Sequence, residues 1–171
     1  MLISIANPKN IKCLTYSSST SSDYYFSGLN IENNSYHFNY TLKKESHIAN
    51  SIVLPMLGEH NVSNALAAIS VSTLLEINHE RIFISLASFK GIKRRFDIHI
   101  SNKNIVYVDD YAHHPEEIKS TIAGVLKSFP NRKLKVIFQP HLYSRTKDFA
   151  NEFAESLSIS DELILLDIFP A

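Results

Sequence analysis

Cysteine occurs once in the 171 residues, tryptophan never and glycine four times, while 17 Lys and Arg balance 17 Asp and Glu. Each scarcity excludes a class of protein. A single cysteine, Cys13, closes no internal disulfide, so the fold must rest on a packed core and a reducing, cytoplasmic setting is expected. Cys13 itself reads as a small buried hydrophobe. A net charge of zero lacks the basic footprint that binding to phosphate backbones requires, so nucleic acid is not expected as a partner. The glycines (Gly28, Gly58, Gly91, Gly124) form no Gly-x-Gly-x-x-Gly or Gly-x-x-x-x-Gly-Lys pattern, so the chain carries no phosphate-cradling loop. The longest apolar stretches, such as Leu163 to Leu166, fall far short of the roughly 20 residues of a bilayer span. The segment Met1 to Pro8 has neither the charged start nor the cleavage site of a secretory signal, and no membrane association is expected.

What is present divides in two. The first third alternates β-rich runs, Lys12 to Tyr16, Asp23 to Ile31, Tyr36 to Lys43 and His47 to Leu57, with polar breaks such as the Ser-rich 17–22 and Asn33-Asn34-Ser35. Short strands joined by polar turns predict a small antiparallel sheet. Val62, Leu66 and Ile69 then recur at helical spacing with Asn61 as N-cap, a second helix is expected over Glu80 to Phe89, and Lys90 to Arg95 reads as a linker. Beyond it the order strand, helix, strand, helix, strand predicts a parallel sheet of Rossmann type. Its strands are expected at Asn104 to Asp109, Leu134 to Phe138 and Glu162 to Asp167. The first helix starts at Pro115, with Ile118, Ile122, Val125 and Leu126 as its buried face. The second is capped by Ser144 and buries Phe149, Phe153 and Leu157. The expected class is α/β, with a small antiparallel sheet and helices over 1–91 and a truncated parallel-sheet domain over 92–171. A sheet that stops there has an uncovered face, so a fragment of a longer protein is expected.

Open parallel sheets bind ligands beyond the carboxyl ends of their strands. Three such ends carry polar side chains: Asp109 to Pro115, Gln139 to Arg145, and Asp167. The plain alternative is that Asp and Ser there merely cap helices. Asp109, Asp110, His113, His114 and His141 are conceivable metal ligands, but adjacent histidines in an extended segment diverge, which disfavours a dedicated centre. No glycine elbow surrounds Ser144, and no nucleophilic triad emerges.

Four segments carry a resemblance: Gly58-Glu59-His60-Asn61-Val62-Ser63-Asn64-Ala65-Leu66-Ala67-Ala68, Phe89 to Phe96 around Lys93-Arg94-Arg95, Asp109-Asp110-Tyr111-Ala112-His113-His114-Pro115, and Phe138 to Thr146 with its Gln139-Pro140-His141-Leu142-Tyr143-Ser144-Arg145-Thr146. Together and in this order they resemble the Mur ligases. The doubled histidine and the last segment are most similar to the branch that joins L-alanine to UDP-N-acetylmuramate in peptidoglycan synthesis. The resemblance implies the end of an ATP-binding central domain and the start of a C-terminal domain, with the phosphate loop and Mg2+ ligands lying upstream. It implies an ATP-dependent, amide-forming reaction through an acyl phosphate. Asn61 matches a position that contacts adenine, and Asn64 lies one helical turn on. Arg95 matches a nucleotide-contacting arginine, and Asp110 a carboxylate that holds the ribose hydroxyls. Tyr111, His113, His141 and Arg145 match positions around the L-alanine site. His113 and His141 are the candidates for a catalytic part, and Arg145 for pairing with the amino-acid carboxylate. Leu142 stands where some members have a second arginine. A non-catalytic nucleotide- or amino-acid-binding module and a sister ligase that adds a peptide are the competing readings.

Overall fold

The computed structural model describes residues 13–45 and 47–170. The chain forms two compact units. One takes the chain to Pro55 together with Asn61–Phe89, and the other takes Met56–His60 together with Lys90 onward. No helix among the described residues is long and apolar enough to cross a membrane.

The first unit holds a four-stranded sheet of β1 (Tyr16–Ser17), β2 (Tyr24–Glu32), β3 (Ser35–Leu42) and β4 (His47–Leu54), in that order. Asn33 and Asn34, both at positive φ (49° and 59°), close the β2–β3 hairpin as its two-residue loop, a conformation asparagine tolerates. Alternation along β3 turns Tyr36, Phe38, Tyr40 and Leu42 into the core, where they meet Tyr24, Phe26, Ile52 and Leu54. The sheet is not wholly antiparallel, because β1 runs parallel to β2. The reason is local. Thr15 donates its amide and hydroxyl to the Asp23 carboxylate at 2.9 Å each, and Asp23 returns its amide to the Thr15 hydroxyl at 3.0 Å, which fixes this register. Lys12, the expected start of that strand, lies outside the described residues. Cys13 is exposed, so burial does not explain it.

Helix α1 (Glu59–Leu74) follows, burying Val62, Leu66 and Ile69, and α2 (His79–Ala87) is capped by Asn78, whose side chain accepts the Arg81 amide. Because α1 opens at Glu59, Asn61 lies inside its first turn and is not the N-cap.

In the second unit, β5 (Asp97–Ser101) and β6 (Val106–Asp109) form an antiparallel hairpin. Then come α3 (Pro115–Ser128), β7 (Lys135–Phe138), α4 (Tyr143–Asp148), α5 (Ala150–Leu157) and β8 (Glu162–Leu165). Among the described residues of this unit, only β7 and β8 pair in parallel. The expected three-stranded parallel sheet is therefore corrected: β6 takes β5 as its hydrogen-bonded partner, since the Asn102 side chain accepts the amides of Asn104 and Ile105 and turns the chain back. The core is Ile118, Ile122, Phe153 and Leu157, with Ala112, Val136, Phe138 and Phe149 packed on it. Leu126 is exposed, because the buried stripe of α3 continues through Gly124 instead. The helix expected from Ser144 is two helices. Leu142, at φ 68°, precedes the first, and Phe149 leaves helical geometry between them to meet the His114 ring edge-on at 5.0 Å.

Candidate functional site

The end of β6 and the start of α3 build a polar cluster in the second unit. Pro115 opens α3, where its fixed φ suits the helix and its missing N–H leaves no donor orphaned. Glu117, two residues on, reaches back so that one carboxylate oxygen accepts the amides of His113 (3.0 Å) and His114 (3.2 Å). The same oxygen lies 3.4 Å from His113 Nδ1, and the other lies 3.9 Å from the Arg95 guanidinium. Burial would raise the Glu117 carboxyl, but the His113 and His114 amides and the nearby His113 and Arg95 charges hold it below the usual glutamate value.

The linker turn packs against this start. Tyr111 donates its amide to the Arg94 carbonyl at 2.7 Å, and the Arg94 guanidinium lies 4.7 Å above the Tyr111 ring. Asp110 uses both oxygens on main chain: Oδ2 accepts the Phe96 amide and Oδ1 the Ala112 amide, each at 2.8 Å. Asp109 faces Arg94 (3.7 Å) and His99 (3.8 Å). His60, from the 56–60 segment of the same unit, tilts against the buried Phe96 ring at 6.5 Å. Its Nδ1 is buried without a hydrogen-bond partner among the described residues. Burial holds the His60 imidazole below the usual histidine value; Asp110 and Glu117 pull it up and Arg95 pushes it down, without reversing that.

At the other strand end, His141 stacks on Phe169 (4.9 Å, 29°), and the Leu142 amide donates to the Phe169 carbonyl at 3.2 Å. Gln139 donates to the Asp167 carbonyl at 3.3 Å, so the ends of β7 and β8 are tied together. Arg145 is the third residue of α4 and forms no ion pair among the described residues.

Two family descriptions match the chain: Mur ligase middle domain over residues 1–72, and Mur ligase, glutamate ligase domain over residues 94–170. The chain belongs to the Mur ligase family. It is 44% identical over 167 residues to the UDP-N-acetylmuramate–L-alanine ligase of Flavobacterium psychrophilum, covering 98% of this chain and 37% of that protein. To its namesake in Hydrogenovibrio crunogenus it is 42% identical, over 94% of this chain and 35% of that one. Among solved structures it is similar to the UDP-N-acetylmuramate-alanine ligase MurC of Thermotoga maritima, at 28% identity and a TM-score of 0.76, over 91% of this chain and 34% of that one. The chain thus spans roughly a third of the length of the relatives it matches.

In this Mur ligase chain, Arg95, Asp110, Tyr111 and His113 gather where the linker turn meets the start of α3. His141 and Arg145 belong to the β7–α4 segment. Asn61 and Asn64 sit on α1 in the first unit, Asn61 buried and Asn64 exposed. Among the described residues no group of three or more His, Cys, Asp and Glu side chains is placed to hold a metal ion. Asp109 and Asp110 are turned to Arg94 and to main-chain amides, His114 to Phe149 and His141 to Phe169, so the donor set does not fit Mg2+. Arg95 is half-exposed, and its one ionic contact among the described residues is the 3.9 Å approach to Glu117. Sequence reasoning missed His60, Arg94 and Glu117 as members of this cluster. His60 lies inside the quoted Gly-Glu-His-Asn motif, and Glu117 stands three residues after His114, the spacing of a capping box.

Proposed function

We propose that this chain is part of an ATP-dependent ligase that joins L-alanine to UDP-N-acetylmuramate. The observation that carries the reading is identity above 40% across nearly the whole chain to ligases bearing that name. The segments most characteristic of that branch, His113-His114-Pro115 and Gln139 to Thr146, stand at the ends of β6 and β7. ATP supplies the activation of the muramyl carboxylate. Asn61, Asn64, Arg95 and Asp110 make up the nucleotide-binding set, with Arg95 offering a planar fork to a phosphate. Tyr111, His113, His141 and Arg145 surround the amino acid. Arg145 pairs with its carboxylate, and the imidazoles of His113 and His141 orient and deprotonate its amine before attack. Residues 1–91 act as the end of the central domain and 92–171 as the start of the C-terminal one. The test is to put residues 1–171 in place of the matching segment of the Flavobacterium psychrophilum ligase. ADP release that requires both UDP-N-acetylmuramate and L-alanine supports the reading, and activity with a different amino acid or none overturns it.

A further inference from the structure

A carbonyl and a carboxylate only accept hydrogen bonds, so a histidine ring nitrogen that faces both must carry the proton. His113 Nδ1 is in that position. It lies 3.1 Å from the Tyr111 carbonyl oxygen and 3.4 Å from Glu117 Oε2, the oxygen that also accepts the His113 and His114 amides at 3.0 and 3.2 Å. Those two amides fix the carboxylate, and Arg95 approaches only its other oxygen, at 3.9 Å, so it does not compete for Oε2. The amide bonds alone would make Glu117 a helix cap. A cap has no use for an imidazole, yet the His113 ring presents Nδ1 to the same oxygen while the Tyr111 ring meets it edge-on at 5.5 Å. His113 Nε2 forms no hydrogen bond among the described residues.

We propose that Glu117 is a positioning residue that, with the Tyr111 carbonyl, holds the His113 proton on Nδ1 and so leaves the lone pair of Nε2 to take a proton from the ammonium group of the incoming amino acid. In that step an N–H bond of the ammonium breaks, its electron pair stays on the nitrogen that then attacks, and the proton joins Nε2. The imidazolium so formed has the Glu117 carboxylate as its counter-charge. The role rests on the amino-acid reading above, whereas the tautomer rests on geometry alone.

The tautomer is read on the whole chain at about pH 8, where histidine is ordinarily neutral, from long-range proton–nitrogen spectra of the imidazoles. His113, assigned as the ring whose signals vanish in His113→Ala, should show a bare Nε2 and a protonated Nδ1, the reverse of the form that free histidine favours. A protonated Nε2 in wild type overturns the proposal whatever the variants do. Glu117→Gln keeps an acceptor for the two amides and drops the charge. Amide exchange at His113, His114 and the first turn of α3 should therefore stay within about twofold of wild type, while His113 moves toward the Nε2–H form. In the chimeric ligase, kcat at saturating L-alanine should fall roughly tenfold, less than in a buried triad because the Glu117 side chain is 39% exposed. The KM values for L-alanine and ATP should change by less than about twofold, and Glu117→Gln should add nothing in the His113→Ala background. An equal loss in that background, or an unmoved tautomer, would leave Glu117 a helix cap only and overturn the proposal. Should Glu117→Gln fail to fold, the wild-type spectrum still decides. A wild-type chimera that does not turn over L-alanine overturns the amino-acid reading, while a bare Nε2 in the chain itself upholds the tautomer.

Discussion

Arg145 and His60 carry opposite kinds of information. Arg145 sits in the first turn of α4, partly exposed and without an ion pair among the described residues, so its fork is available to a carboxylate. If it holds the amino-acid carboxylate as proposed, it should carry most of that contact. In the chimeric ligase, Arg145→Lys should therefore raise the KM for L-alanine by roughly tenfold or more and leave the KM for ATP nearly unchanged. Equal effects on both would move Arg145 to the nucleotide or to folding. A helix of six residues adds little dipole of its own, so the side chain must do the binding. His60 acts on stability instead. Its folded-state pKa is held down chiefly by burial, so between that value and the ordinary 6.5 the unfolded chain binds a proton that the folded chain refuses. The stability associated with His60 is thus fully present above about pH 6.5 and is lost as the pH falls through the folded-state value. His60→Leu should flatten this slope: denaturant midpoints between about pH 7.5 and pH 5 should fall less in the variant than in wild type, and parallel curves would exclude the effect.

Helix α3 shows how an element is placed by contacts its own residues do not announce. Local chemistry starts it, with Pro115 at its first position and Glu117 reaching back to the amides of His113 and His114. Packing decides its side: Ile118 and Ile122 face the core with Phe153 and Leu157, and Gly124 admits the Phe96 ring. Helix propensity alone says that Gly124→Ala stabilises by about 1 kcal/mol. The added Cβ, however, would stand 3.0 Å from Phe96 Cε2 and 3.1 Å from Gly58 Cα, a buried ring and a backbone atom that have little room to give. Overpacking costs about 1–3 kcal/mol, so the substitution should lower stability on balance, and a raised denaturation midpoint would show that Phe96 can move.

At the scale of the whole molecule, chemistry that needs charge neutralisation at a γ-phosphate has no phosphate loop in these 171 residues to supply it. The chain by itself should release no ADP from ATP and Mg2+, with or without UDP-N-acetylmuramate and L-alanine. Phosphate release above the blank in that mixture would show that these residues contain the activating machinery after all. The short 56–60 segment, which joins the second unit while the chain on both sides of it belongs to the first, places His60 in the Arg95–Asp110–Glu117 neighbourhood.

Signals that act over a few residues were legible without the fold. The Asn33-Asn34 turn, the proline start of α3, the helical spacing of Val62, Leu66 and Ile69, and the strands at β7 and β8 all follow from dihedral preference and periodicity, which the chain carries locally. The four segments that resemble the Mur ligases were legible in the same way, because side-chain identity needs no coordinates. Strand β5 was passed over, since what makes it a strand is its partner β6. The break at Phe149 follows from a contact with His114, 35 positions earlier in the chain. The engagement of Asp110 with an amide 14 residues away, and the burial of His60 beside Phe96, were also beyond reach of the sequence. Hydrogen bonds and burial between residues far apart in the chain depend on where packing brings them, so local preference and residue identity determined most of the elements and the family, while only the tertiary structure decided strand β5, the break at Phe149 and what each polar side chain of the site is bonded to.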